Sequence, residues 1–99
     1  MKVARNVQFE IKSGQGKEFN RVRQVDVLPL LKKQSGFSEE LTLMHHDKGV
    51  AISVWNDQAS VDAYVKSTYP LVLEKLNPLR VGTPHVDNCD VTASSQLAV

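Results

Sequence analysis

Period-two alternation and helical spacing take turns along this chain. In residues 3 to 11, Val3, Val7, Phe9 and Ile11 fall on one face and Ala4, Asn6, Gln8 and Glu10 on the other. That alternation predicts a strand, with Arg5 interrupting its apolar face. Ser13-Gly14-Gln15-Gly16 ends it, since glycine accepts the backbone angles of a tight turn. From Lys17 to about Lys33, Phe19, Val22, Val25 and Leu28 recur every third residue, which predicts a helix whose apolar stripe drifts. Pro29 has no backbone N–H and should kink or end that helix, or open a new turn. Ser35-Gly36 supplies its stop.

Phe37 to His46 alternates again. Leu41 and Leu43 point one way with Phe37, Glu39 and His45, while Thr42, Met44 and His46 point the other. Asp47-Lys48-Gly49 reads as a hairpin loop with glycine in the left-handed position. Val50 to Trp55 is the return strand, with Val50, Ile52 and Val54 opposed to Ala51, Ser53 and Trp55. Asn56 or Asp57 caps the next helix, in which Val61, Tyr64, Val65 and Thr68 share a face. Pro70 opens a second helical piece carrying Leu71, Val72, Leu76 and Leu79, and Asn77-Pro78 ends it. Gly82-Thr83-Pro84 leads into a last strand, His85 to Thr92. Val86 and Val91 there differ by an odd number, which calls for a bulge or an edge position.

The order strand, helix, strand, strand, helix, strand is the ferredoxin-like βαββαβ arrangement, an α+β fold with a four-stranded antiparallel sheet and two helices on one face. One domain spans residues 1–92, with a small, polar tail at 93–99 expected to be mobile. The other sheet face keeps apolar side chains that a soluble monomer would not expose. A second copy stacked on that face would bury them, so a homodimer through the sheet face is expected. Ninety-nine residues make a domain that hides only about 60 to 70% of its unfolded surface, and a partner subunit adds to that.

Charge and cysteine content narrow the function classes. A formal net charge of +1 gives no pull toward nucleic acid or an anionic membrane, and no apolar run approaches the roughly 20 residues of a membrane span. The N-terminus carries no apolar signal core, and the single cysteine, Cys89, fits a reducing cytoplasm. Cys89 reads as an inert, half-buried strand residue rather than a catalytic thiol. His45 and His46 are adjacent on a strand and so point to opposite faces, which argues against a shared metal. Either is able to move a proton near neutral pH, or is simply a solvated strand end. His85, after Pro84, is placed to reach a cavity mouth or to stay in solvent.

In order and spacing, several motifs together resemble the antibiotic biosynthesis monooxygenase-like family of dimeric α/β barrels. They are Gly16-Lys17-Glu18-Phe19, Leu28-Pro29, Ser35-Gly36-Phe37, Val54-Trp55-Asn56-Asp57, Tyr64 and Pro84-His85-Val86. The resemblance implies a cavity between sheet and helices in each subunit. It implies a cofactor-independent oxygenation, without metal or flavin, of a small aromatic or quinol-like substrate by molecular oxygen. A haem-degrading branch has an asparagine similar in place to Asn6. Glu74 stands where that branch has its ligand histidine, so haem degradation is not expected.

By the resemblance, the face bearing Asn6 and Gln8 looks toward the helices and lines the cavity. There Asn6 would hold a substrate oxygen, with Gln8 beside it. Trp55 and Tyr64 would be walls, or core; Tyr69 and His85 would touch substrate; His45 would move the proton. The alternative is a non-enzymatic dimeric barrel that binds a small hydrophobic ligand or serves in assembly, since one fold supports both.

Overall fold

The computed structural model of the protein describes residues 1–98. The chain runs β1 (Val3–Ile11), α1 (Gly16–Val22), a π-helical turn (Arg23–Val27) and α2 (Leu28–Lys32). It continues with β2 (Phe37–His45), β3 (Lys48–Trp55), α3 (Gln58–Ser67), α4 (Tyr69–Leu76), a 3-10 turn (Asn77–Leu79) and β4 (Arg80–Asp90). The strands form one antiparallel sheet in the order β2-β3-β1-β4. The helices pack on one face, giving the expected ferredoxin-like α+β arrangement with each helix in two pieces. No helix among the described residues is long and apolar enough to cross a membrane.

Central strand β1 sets the sidedness. Val3, Arg5, Val7, Phe9 and Ile11 are all buried, and Phe9 meets Phe19 of α1 edge-on at 5.5 Å. Ala51, Ser53 and Trp55 of β3 are buried on the same side, joined by Val61 and Tyr64 of α3 and Val72 and Leu76 of α4. Val65 is 37% exposed and Leu71 44% exposed, so the buried stripes of α3 and α4 are narrower than the spacing suggested.

Several expectations are corrected, but not that for Pro29, which lies in the first turn of α2 and opens a new helical turn. Just before it, the Leu28 N–H donates to the Arg23 carbonyl five residues back, widening the helix where a proline ring crowds the carbonyl four residues earlier. This π-turn rotates the stripe, so Val22, Val27 and Leu31 are buried while Val25 is 57% exposed. The β2–β3 turn is tighter than expected. His46 takes the left-handed backbone (φ 54), whereas Gly49 lies within β3, where a Cβ would sit 3.2 Å from Ile11 and 3.3 Å from Phe19. A register shift between Phe37 and Glu39 turns Phe37 toward the helices while Leu41 and Leu43 stay on the open face. β4 starts at Arg80 rather than His85 and carries its register shift opposite Phe9. Cys89 is exposed rather than half-buried. Of the 93–99 tail, Val99 lies outside the described residues.

Asp57 is the cap of α3, accepting from the Ser60 N–H at 2.8 Å. That helix start is also gripped from the α2–β2 loop. Gly36 has φ +83, and a Cβ there would fall 2.6 Å from the Cβ of Ser60; its carbonyl accepts from the Asn56 N–H at 2.8 Å. Left-handed backbone and steric overlap act together at this position. Gly36→Ala is expected to lower the unfolding free energy by about 2 kcal/mol or more in urea denaturation, while exposed Ser35→Ala changes it by about 0.5 kcal/mol at most.

Candidate functional site

The space between sheet and helices is occupied by an aromatic cluster and two buried arginines. Trp55, at the end of β3, is fully buried and stacks on Tyr64 of α3 at 4.9 Å and 30°. Phe37 meets its edge at 5.4 Å, and its indole N–H donates to Ser53 Oγ at 2.9 Å. Tyr69, in the first turn of α4, lies 6.0 Å from Tyr64. The Arg5 guanidinium sits over the Tyr69 ring at 4.1 Å and within 5.9 Å of Tyr64, in the range of cation–π attraction. The small space left among Arg5, Arg23, Ser53, Tyr64 and Tyr69 is about 20 Å³, room for roughly one water.

The second arginine is paired. Arg23 of the π-turn donates from Nη2 to Glu40 Oε1 of β2 at 2.6 Å, with side chains only 7% and 2% exposed. Thr42 Oγ1 donates to the same oxygen. Just outside, a cleft of about 380 Å³ opens between the π-turn and β2, lined by Arg23, Gln24, Leu28, Glu40, Thr42 and Met44. Arg23 is therefore a wall shared by the cleft and the inner space. The floor is set by the sheet. Arg5 pairs with Ser53 and Ser53 with Glu40 across β1, β3 and β2, so the three form one row on the helix side. Two strand spacings separate the outer two, roughly 10 Å, and the short Ser53 side chain leaves the gap between them.

An ion pair taken out of water costs several kcal/mol per ion before its attraction is counted, and apolar residues of similar volume commonly stabilise as well or better. Packing alone thus gives little reason for two arginines and a glutamate here. The arrangement offers hydrogen-bond donors, one oriented carboxylate and aromatic walls beside an open cleft.

No protein-family model matches the chain, and no curated protein matches it in sequence. Solved structures match it in fold. NE2512, a protein of unknown function from Nitrosomonas europaea, has a TM-score of 0.82 at 21% identity, covering 99% of this chain and 96% of that one. SnoaB, a cofactor-independent oxygenase from Streptomyces nogalater, has a TM-score of 0.79 at 18% identity, covering 97% and 98%. A monooxygenase from the gene ActVA-Orf6 of Streptomyces coelicolor, solved with the ligand Nanaomycin D, has a TM-score of 0.80 at 13% identity, covering 97% and 92%. The chain shares its fold with these three structures. At these identities the likeness is one of fold.

Within this fold, the structure brings Trp55, Tyr64 and Tyr69 together and leaves the other expected site residues elsewhere. Asn6 and Gln8 do not face the helices. The helices cover the more apolar face of β1, so Asn6, one residue from Arg5, lies on the open face, between Ile52 of β3 and Asp87 of β4. Gln8 lies there between Val50 and His85. His85 is exposed and contacts Asp87 at 3.1 Å. His45 is also exposed on that face, opposite Lys48. His46 leaves the strand for the turn, so the two histidine rings touch at 4.3 Å instead of pointing apart. Among the described residues no three His, Cys, Asp or Glu side chains gather as a metal site. Glu74 is exposed on α4. Nothing in the sequence pattern points to Arg23, Ser53 or Glu40; only Arg5, charged on an apolar strand face, carries a visible signal.

Burial pushes the Tyr64 hydroxyl up to about 12 from an ordinary 10.0, with Arg5 and Arg23 opposing the shift. A raised acid of this kind contributes stability that is present below pH 10 and lost as pH climbs toward about 12, at most roughly 3 kcal/mol. The unfolding free energy of the wild type should therefore fall more steeply between those pH values than that of Tyr64→Phe. Parallel slopes in alkaline urea titrations would show that Tyr64 is not the group responsible.

Proposed function

We propose that the protein is a cofactor-independent monooxygenase acting on a small aromatic or quinol-like substrate with molecular oxygen. The observation that carries this reading is the open cleft between the π-turn and β2, with a buried, oriented carboxylate in its wall, in a fold shared with oxygenases. The substrate rests against Leu28 and Met44, and Glu40 accepts its acidic proton, held in place by Arg23 and Thr42. Loss of that proton leaves an electron-rich anion. Electron transfer to oxygen and recombination form a carbon–oxygen bond, and loss of water from the hydroperoxide leaves a carbonyl. One oxygen atom ends in the product and the other in water, with the substrate carbon oxidised and dioxygen reduced. Trp55, Tyr64 and Tyr69 wall the inner end and keep it dry.

In an oxygen electrode, hydroquinones and similar electron-rich phenols should drive uptake above the buffer rate, unchanged by a metal chelator. Glu40→Gln, which keeps an acceptor for Arg23, should slow it about 100-fold or more while retaining the wild-type circular dichroism. Absence of uptake with every such compound would count against the oxygenase reading. A second reading, a non-enzymatic barrel that binds a small hydrophobic ligand, is favoured by one observation: the larger cleft has apolar wall residues in Leu28 and Met44. Tight binding of those phenols without uptake would select it.

The assembly belongs to the same proposal. On the open sheet face Leu41 and Leu43 are 52% and 53% exposed, and the register sets them beside Ile52 and Val50. This makes an apolar patch across β2 and β3 of the kind soluble monomers rarely leave bare. We place a second copy there, with Asn6, Gln8, His45 and His85 around its border, and the protein in the cytoplasm, where the exposed Cys89 thiol stays reduced. Sedimentation should give a dimer at micromolar concentration, and Leu43→Lys should shift it to monomer; a wild-type monomer would sink the assembly.

A further inference from the structure

We infer that Arg5 is an anion-binding residue of the cleft site, and that the ligand taken there is an aromatic acid: a ring whose carboxylate reaches Arg5 while a hydroxyl at its far end meets Glu40. This rests on the reading of the cleft as a ligand site and names the class of ligand.

Arg5 carries an unbalanced charge. Arg5 is 4% exposed, and its Nε is buried with no hydrogen-bond partner. No carboxylate lies within 4.0 Å of it among the described residues. Arginine keeps its charge at any ordinary pH, and a buried charge without a partner is costly. The groups packed around it do not supply an anion. Tyr64 stays neutral, because its hydroxyl is pushed up to about 12. Tyr69 offers only its ring face. Glu40, in the same cross-strand row, is held by Arg23 and Thr42 with Ser53 between. Arg23 Nε is likewise buried without a hydrogen-bond partner, but its Nη2 has a counter-ion in Glu40, so it is the missing carboxylate that sets Arg5 apart.

Geometry then sets the kind of anion. Arg5 faces a small space of about 20 Å³ that shares Arg23 as a wall with the cleft of about 380 Å³. Room of that size holds about one water, so the acid end of a ligand enters as the half-buried Tyr69 gives way, while its ring stays in the cleft and Arg23 keeps its hold on Glu40. Arg5 and Glu40 stand two strands apart, roughly 10 Å between backbones, which suits a ligand with functional groups at opposite ends. The planar guanidinium fork matches a carboxylate in a way a lysine would not.

The test uses para-hydroxybenzoate, its uncharged analogue para-hydroxybenzamide and inorganic phosphate, titrated calorimetrically into the intact wild-type protein under nitrogen. Turnover plays no part, so failure here is distinct from failure of the oxygenase reading. The acid should bind about tenfold or more tightly than the amide, as a charge-assisted pair requires, and phosphate should not compete. Arg5→Met should abolish the difference and Arg5→Lys restore only part of it. Equal affinities of acid and amide in the wild type overturn the proposal, as does phosphate binding as tightly as the acid, which would make the site one for simple anions. No binding of any of the three overturns it too. The comparison in the wild type decides even if Arg5→Met does not fold.

Discussion

The molecule depends on a question of parity: which face of β1 the helices cover. Side chains alternate along a strand, so a shift of one residue would exchange every inward group for an outward one. Val3, Val7, Phe9 and Ile11 settle the choice by their apolar area, at about 25 cal/mol per Å² removed from water. Arg5 shares their parity and is carried inside with them. Asn6 and Gln8 are carried out by the same rule. Through the β1–β3 and β3–β2 registers the choice passes to the rest of the sheet, turning Ser53, Trp55 and Glu40 inward and leaving Val50, Ile52 and Leu43 outside. The content of the site and the apolar patch on the opposite face are two consequences of one decision.

Charge is where packing and function part. Aromatic contacts account for much of what holds Arg5: a guanidinium over a tyrosine ring is worth about 0.5 to 2 kcal/mol, against a larger penalty for burying an unpaired cation. The Arg23–Glu40 pair is closer to balance, but such pairs are seldom better than apolar residues of equal volume. The π-turn adds to this picture. It allows the helix to run on through Pro29 and presents Arg23 and Gln24 to the cleft, at a cost in regular hydrogen bonding that such turns commonly bear at working sites.

Much of the fold was legible in the sequence because each signal was local. Alternation found the first three strands, Asp57 announced the third helix, and Pro70 marked where the second half of that layer begins. What stayed hidden was set by contacts between distant residues. The register shift after Phe37, which separates it in direction from Leu41, follows from pairing with β3. Gly49 is small because Phe19 and Ile11 press on it, not because a turn needs it. The candidate site suffered most. Trp55, Tyr64 and Tyr69 are large aromatics that the sequence makes visible, whereas only the resemblance turns Asn6 and Gln8 toward the helices. The helices cover the more apolar face of a central strand, and that rule governs β1.

Fold likeness and site chemistry carry different information here. Sheet order and helix placement agree with structures of oxygenases across nearly the whole chain, yet folds of this kind host many functions. The residues that would distinguish one function from another are those the packing does not require. Trp55 is required: it is fully buried, and its indole N–H is satisfied within its own strand by Ser53. Tyr64 is required in part, since its ring completes the stack. Arg5 is not required, and neither is the Arg23–Glu40 pair. An apolar core of the same shape would hold the helices on the sheet without them, so the physical case for a ligand site rests on three charged groups more than on the aromatic wall that first draws the eye.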